Sequence, residues 1–281
     1  MKKMLAISMC FMMFMFCANP IQATAYTKTS TEVLDWEFAS TGLNHFYYTP
    51  YLESVGKCAF STCGYLTQFR TEAQLDPNNQ ATFKLNYIGD YAFAGCANLN
   101  VLDLTTVSYI GDFAMFGCTE LVGPNTSWCS LPKGLEHIGA YAIGYYGNLD
   151  VNKKDEIIRV SGIQQYKNVI IRVSKGSVGE KYAKENLFSY QYGNENFIVG
   201  DFNADGMITL DDIQEMLASY VDHVSGKKQS VPNCTVRNDL NNDNKSDISD
   251  VQMLLRYYTE TTIAGKSDYT WFDLRKDMGM V

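Results

Sequence analysis

Only three histidines, three tryptophans and six prolines occur in the 281 residues. His45, His137 and His223 lie far apart in the sequence, which leaves little material for histidine-based catalysis. No phosphate-binding glycine loop, zinc-ligand spacing or G-x-S-x-G elbow is present. Positive charge is in deficit: the net charge is −8 and the pI is near 4.9. That balance argues against nucleic acid and against anionic membrane surfaces as partners. Beyond the N-terminus no apolar run approaches the roughly 20 residues of a membrane-spanning helix, so no membrane insertion is expected.

The N-terminus itself reads as an export signal over residues 1–25. Lys2 and Lys3 form a basic start, Met4 to Ala18 a short apolar core, and Ala23-Thr24-Ala25 supplies small residues for cleavage. Phe16 before Cys17 does not suit a lipidation site. The expected product is secreted, and six cysteines remain in it: Cys58, Cys63, Cys96, Cys118, Cys129 and Cys234.

Residues 26–49 are polar and aromatic without a clear period, and read as an N-terminal cap. A repeat follows. Val55-Gly56…Ala59-Phe60…Cys63…Leu66 matches Ile88-Gly89…Ala92-Phe93…Cys96…Leu99 and Ile110-Gly111…Ala114-Met115…Cys118…Leu121. A weaker copy is Ile138-Gly139…Ala142-Ile143…Tyr146…Leu149. Fixed apolar positions at intervals of 22 to 33 residues indicate a solenoid of stacked coils, with insertions such as Asp76-Pro77-Asn78-Asn79 in the longer intervals. Glycine after each Ile implies either crowding at Cβ or a positive φ. Cys63, Cys96 and Cys118 fall on one rung, where cysteine acts as a small apolar residue, so buried free thiols are expected. Tyr146 takes that rung in the last copy. Cys58, Cys129 and Cys234 are left open.

This pattern resembles the leucine-rich repeats of BspA-like bacterial surface proteins, over about residues 50 to 192. The segment Val169–Arg172, Lys175-Gly176 and Glu180–Ala183 resembles that family's terminal strand, turn and closing helix. The resemblance implies an α/β solenoid of short strands, turns and short helices over residues 26–193.

A short polar connection, residues 194–199, leads to a second pattern. Asp201, Asn203, Asp205, Thr209 and Asp212 stand at positions 1, 3, 5, 9 and 12 of a loop with Gly206 at position 6. Asp239, Asn241, Asp243, Asp247 and Asp250 repeat it, with Asn244 in the glycine place. Such spacing wraps a hard cation in oxygen. The expected ligands of two Ca²⁺ ions are these side chains plus the carbonyls of Met207 and Lys245. Each loop runs into an apolar helix with core positions Ile213, Met216 and Tyr220, or Val251, Leu254 and Tyr258.

The G-D-x-N-x-D-G opening at Gly200–Gly206, the tandem loops and Asp at position 12 resemble a type I dockerin over residues 200–265. That is a small all-α calcium-binding module that plugs cellulosomal subunits into a cohesin domain of a scaffold protein. The resemblance implies a cohesin-facing set at loop positions 10 and 11 and helix positions 17 and 18. Here those are Leu210, Asp211, Leu217 and Ala218, then Ile248, Ser249, Leu255 and Arg256. Asn244, Ser246 at position 8 and the 38-residue spacing of the loops depart from the family pattern. In the tail, residues 266–281, Trp271 and Phe272 are expected to meet Phe197 and Phe202 and clasp the module's ends.

The resulting expectation is a secreted, non-catalytic cellulosome-type subunit whose repeats present a protein-binding or adhesion surface. A carbohydrate-binding module for plant polysaccharide is the alternative. A polysaccharide-degrading enzyme is a third reading; a Cys–His pair such as Cys129 with His137 is a candidate nucleophile, and spacing alone does not tell paired catalytic carboxylates from the calcium ligands.

Overall fold

A computed structural model describes residues 25–71, 83–122, 129–167, 169–192, 195–227 and 236–281. Residues 1–24 of the expected export segment, the 76–79 insertion and Cys234 lie outside the described residues.

Short parallel strands stack into two ribbons. One contains β1 (Tyr26–Lys28), β3 (His45–Tyr48), β5 (Gln68–Thr71) and β7 (Val101–Leu102), in that order. The other contains β2 (Glu32–Val33), β4 (Ser54–Val55), β6 (Tyr87–Ile88), β8 (Tyr109–Ile110) and β10 (His137–Ile138). The stack therefore begins one coil earlier than the sequence pattern suggested. Val33, Phe38 and Leu43 are the apolar positions of a complete first coil, 22 residues ahead of Val55, and residues 26–49 are not a featureless cap. Leu34 stands in the glycine place of this coil, Glu37 in the alanine place and Thr41 in the cysteine place.

Within each coil, the turn after the Ile/Val strand donates amides to the next coil. Phe38 N–H donates to Ala59 C=O at 2.8 Å, Phe60 to Ala92 at 2.7 Å, Phe93 to Ala114 at 2.8 Å and Met115 to Ala142 at 2.8 Å. The turn needs a left-handed residue three places after the strand: Trp36, Cys58, Tyr91, Phe113 and Tyr141 have φ of 53° to 59°. The glycines after Ile serve a different end. None has a positive φ, but a Cβ on Gly89 would lie 2.8 Å from Lys57 N and 2.9 Å from Gly56 C. They let one coil's backbone lie against the next. Leu34 is tolerated because it is exposed, with no coil before it among the described residues.

The cysteine rung carries thiols rather than disulfides. Cys63 Sγ donates to Phe38 C=O at 2.9 Å, Cys96 to Phe60 at 3.1 Å and Cys118 to Phe93 at 3.2 Å. Cys58 and Cys129 are also buried and free. A small side chain with a weak donor fits this rung because a carbonyl of the preceding coil waits there. Beside it, Phe38, Phe60 and Phe93 stack with centroids 5.3 Å apart.

The last copy does not continue the rung. Tyr146 is 37 % exposed and stacks on Tyr166, because the chain leaves the coil there to form a hairpin. Its strands β11 (Tyr145–Asn152) and β12 (Ile157–Gln165) are antiparallel. The hairpin folds back along the stack: Leu149 lies over Gly95, Val151 and Ile158 cover Trp36, Ala39 and Cys58, and Lys153 Nζ donates to Glu37 C=O at 3.0 Å. Six strand residues at about 3.4 Å each span about 20 Å, close to four coil steps of about 4.8 Å.

Helix α1 (Thr119–Val122) leads toward β9 (Cys129–Ser130), which opens the last sheet. There β9, β13 (Ile170–Arg172) and β14 (Ser189–Tyr192) are parallel, and β15 (Glu195–Phe197) is antiparallel to β14. The expected connection over residues 194–199 thus contains β15, a strand of the repeat-side sheet. Between β13 and β14, helix α2 (Val178–Glu185) closes the stack, with Ser177 Oγ accepting from Glu180 N–H as its cap. Tyr182 on α2 satisfies the last coil, its hydroxyl donating to Ile143 C=O at 2.7 Å and accepting from Ile143 N–H at 3.1 Å.

Three helices complete the chain: α3 (Leu210–Val224), α4 (Ile248–Tyr258) and α5 (Trp271–Asp277), with a π-helical turn over Thr259–Ile263. The tail is therefore ordered into a helix. Thr270 and Asp273 form a reciprocal capping box at its start.

Replacing Gly89 with alanine should cost about 1–3 kcal/mol, because only backbone surrounds the new methyl. Gly64→Ala, where nothing lies within 4 Å, should change stability by no more than about 0.5 kcal/mol. Urea denaturation of the two variants makes the comparison.

Candidate functional site

The two Asp/Asn-rich loops adopt the same backbone and hydrogen-bond pattern. In the first, Asp201 carboxylate oxygens accept from Asp205 N–H at 3.1 Å and Gly206 N–H at 3.2 Å. In the second, Asp239 accepts from Asp243 and Asn244 N–H, both at 3.1 Å. Asn203 and Asn241 each accept from the amide two residues on at 3.0 Å, and Asp205 and Asp243 do the same at 2.9 Å. The loops match in left-handed positions as well. Ala204 and Gly206 have φ of 64° and 94°, and Asn242 and Asn244 have 62° and 64°. Asn244 thus holds the conformation for which glycine is the easier residue.

Position 12 ties each loop to its helix. Asp212 accepts from Asn203 N–H at 3.2 Å and, with its other oxygen, from Thr209 N–H at 2.7 Å. Asp250 accepts from Leu240 N–H at 2.8 Å, Asn241 N–H at 3.2 Å and Asp247 N–H at 2.9 Å. In both cases the residue is also the third helical position of a capping box, with Thr209 or Asp247 as the cap. One carboxylate therefore starts the helix and closes the loop.

Asp201, Asp212, Asp239 and Asp250 are all buried. Burial raises the carboxyl pKa of Asp201, with the Asp212 charge adding to it. Burial also raises Asp239, with the Asp250 charge adding, and raises Asp250 itself. Asp247 is lowered by its hydrogen bonds from Ser249. Among the described residues, no group of three or more His, Cys, Asp and Glu side chains forms a ready-made metal site. Each loop instead mixes carboxylates with an Asn amide oxygen and a main-chain carbonyl, an all-oxygen set of the kind that suits a hard cation such as Ca²⁺. Met207 is 63 % exposed and gives its N–H to Asp205.

The helices following the loops bury Ile213, Met216, Val251 and Leu254, as their spacing predicted, but leave Tyr220 and Tyr258 only half-buried. Tyr257 and Met253 are buried in their place, because α4 is covered on a second side by α5. Trp271 of α5 stacks on Tyr257 with centroids 3.9 Å apart. Leu210, Leu217, Ile248 and Leu255 are 39 to 48 % exposed. Asp211, Ala218 and Arg256 are exposed too, and Ser249 is half-buried under its bonds to Asp247 and Asn241. Val221 and Val224 extend the α3 apolar row by two positions the motif had not singled out. Their spacing of 11 and 14 residues from Leu210 carried that signal.

The aromatic clasp takes a different form from the one the tail suggested. Trp271 lies against Gly200 at the loop entrance, but Phe272 meets Tyr145 of the hairpin, and Phe197 stacks on Tyr190 of β14 at 4.8 Å. The rings join the helical part to the repeats.

On the repeats, Tyr87, Tyr109 and His137 stack face to face along the outer side of the second ribbon, at 4.8 and 4.5 Å. Cys129 is buried and its thiol is pushed up to about 12 by that burial, which leaves it protonated and unreactive. His45 and His223 lie elsewhere, on β3 and α3.

A family model for BspA-type leucine-rich-repeat regions matches the chain in six copies, over residues 9–121 and 79–167. No curated protein matches it. Among solved structures, the crystal structure of a T. pallidum leucine-rich-repeat protein is similar at 19 % identity and a TM-score of 0.37. The match covers 53 % of this chain and 57 % of that one, so the chain spans little more than half of that structure.

Placing alanine at position 244 should cost about 1–2 kcal/mol from its left-handed backbone alone, whereas Asn244→Gly should cost nothing measurable. Thermal or chemical unfolding of the full chain distinguishes the two.

Proposed function

The chain belongs to the BspA-type leucine-rich-repeat family, and from that premise we propose that it is a non-catalytic docking subunit: a calcium-loaded type I dockerin over residues 200–265 attaches it to a cohesin, and the repeats present a protein-binding or adhesion surface. The observation that carries the docking half is the duplication. Two loops share one hydrogen-bond pattern, and each is followed by a helix with aliphatic residues exposed at loop position 10 and helix position 17.

In this reading Asp201, Asn203, Asp205, Thr209 and Asp212, with the Met207 carbonyl, hold one Ca²⁺. Asp239, Asn241, Asp243, Asp247 and Asp250, with the Lys245 carbonyl, hold the second. Bound calcium supplies positive charge to buried carboxylates that otherwise repel one another. Asp212 and Asp250 then transmit loop order to α3 and α4, since each belongs to both. The exposed row Leu210, Leu217, Ile248 and Leu255 makes the apolar contact with the cohesin. Asp211 against Ser249, and Ala218 against Arg256, make the two halves chemically unlike and favour one docking orientation.

For the repeats, the family supports a protein-binding or adhesion surface. Sugar-binding rings offer a flat open face to the ligand, whereas Tyr87, Tyr109 and His137 cover one another's faces and turn their edges outward. That arrangement favours protein over polysaccharide. A protonated, buried Cys129 is a poor nucleophile, which supports a non-catalytic role. In this reading residues 1–25 direct export, and the scaffold holds the protein outside the cell.

A cohesin panel tested with and without chelator checks the docking role. Binding should require calcium and should fall at least about tenfold in the Leu210→Asp, Leu217→Asp double variant, the cost of desolvating one carboxylate in an apolar contact. Asp201→Ala should weaken binding more than Asp239→Ala. Equally tight binding with and without calcium would falsify the assignment.

A further inference from the structure

The interface between the loop-bearing helices and the repeats is continuous. Phe197 of β15 belongs to the repeat-side sheet and stands three residues before Gly200, which opens the first loop. It stacks on Tyr190 on one side, and the guanidinium of Arg237 lies 4.5 Å from its ring centroid. Arg237 is two residues before Asp239, which opens the second loop. The two loop entrances are joined directly by Gly200 N–H donating to Val236 C=O at 2.9 Å. Both loops thus start from residues packed on the repeat-side sheet.

Helix α5 makes the second connection. Gly200 has φ +79°, and a Cβ there would meet Leu254 Cδ1 at 2.8 Å and Trp271 Cζ2 at 2.9 Å, so the first loop's entrance fits beneath Trp271. The next residue, Phe272, packs edge-on against Tyr145 at 5.6 Å. One turn further on, Arg275 donates to Glu185 C=O at 2.9 Å, capping the C-terminal end of the closing helix α2. Lys167 Nζ donates to Ser267 C=O ahead of the helix. The cavity left at this junction is about 70 Å³ and is lined by Tyr166, Phe188, Val199 and Trp271 among others. The apolar core runs from Val33 to Leu274 without a break.

Resting on the calcium reading above, we propose that the helical module is also the outer cap of the solenoid, so that cation binding in its loops stabilises the closing end of the repeats. A solenoid end exposes apolar surface and must be capped. Here α2 covers the last coil, and α5 and β15 in turn hold α2 and β14. A ligand that binds only the folded module suppresses opening of every element that must open with it. The effect should be confined to α2, β13, β14 and the hairpin base, and should be absent at the first coil, which α5 does not touch.

Hydrogen exchange on the full chain, with calcium or with chelator, tests this, alongside calorimetric titration with calcium. At calcium about 100 times its dissociation constant, opening of the module should be suppressed about 100-fold, and α2 and β14 should gain at least about tenfold in protection. Amides of β2 and β4 should be unchanged. In a Phe272→Ala, Arg275→Ala variant, calcium should still bind, and α3 and α4 should still gain protection, while α2 no longer responds. If calcium binds and protects α3 and α4 but leaves α2 unchanged in the unmodified chain, the coupling is refuted and the docking role stands. No calcium binding at all would overturn the docking reading and this inference together.

Discussion

Backbone bonding from coil to coil is the constraint on which the rest of the repeat structure depends. Each turn passes its amides to the carbonyls of the next, as Phe38 does to Ala59 and Phe93 to Ala114. Those bonds form only if successive backbones come within contact distance. Glycine after Ile is required for that approach, and its φ plays no part. Contact distance also leaves little room on the adjacent rung. Cysteine fits it, and its thiol bonds a carbonyl of the preceding coil. The same closeness puts Phe38, Phe60 and Phe93 in stacked register, so the apolar core follows from the backbone arrangement.

A stack built in this way has two ends with different needs. At the start, no coil precedes the first turn among the described residues, so Leu34 can occupy a glycine place and Glu37 an alanine place. Glu37 uses that freedom to pair with Lys28 and to accept from Leu34 N–H at 2.9 Å. At the finish, the last turn's groups need a partner that a sixth coil would have supplied. Tyr182 gives its hydroxyl to both the N–H and the C=O of Ile143. The hairpin then returns across the turns to reach Glu37, tying the finish to the start.

The sequence reveals the middle of the stack and hides its ends for one reason. Internal coils face neighbours on both sides, so the same residues recur at Ile88 and Ile110 and the period is visible. Leu34, Glu37 and Thr41 differ because one neighbour is missing, and the first coil is thereby disguised. In the last copy, Asn148 and Leu149 continue the pattern in letters, while the chain has already left the coil for the hairpin at Tyr145. The paired loops are legible at single-residue resolution, because each position is fixed by a hydrogen bond or a left-handed backbone within a dozen residues. The placement of Phe197, Phe272 and Arg275 was not legible. Their partners Tyr190, Tyr145 and Glu185 lie on remote elements, and no local period records such pairings.

The attachment of the helices bears on how a docked repeat domain would behave. One side of the helical module is consumed by Trp271, Phe272 and the repeat-side sheet, and the apolar row from Leu210 to Val224 stays exposed. A flexible linker would let the repeats sample many orientations about a docking partner, and any second contact would have to repay the loss of that freedom. Here β15 replaces the linker and fixes the helices on the repeat-side sheet. Under the proposed docking role, a ligand on the repeats and a scaffold on the helices would be held at one separation, which would strengthen joint binding where that separation fits and prevent it where it does not. The geometry favours selectivity among partners over reach.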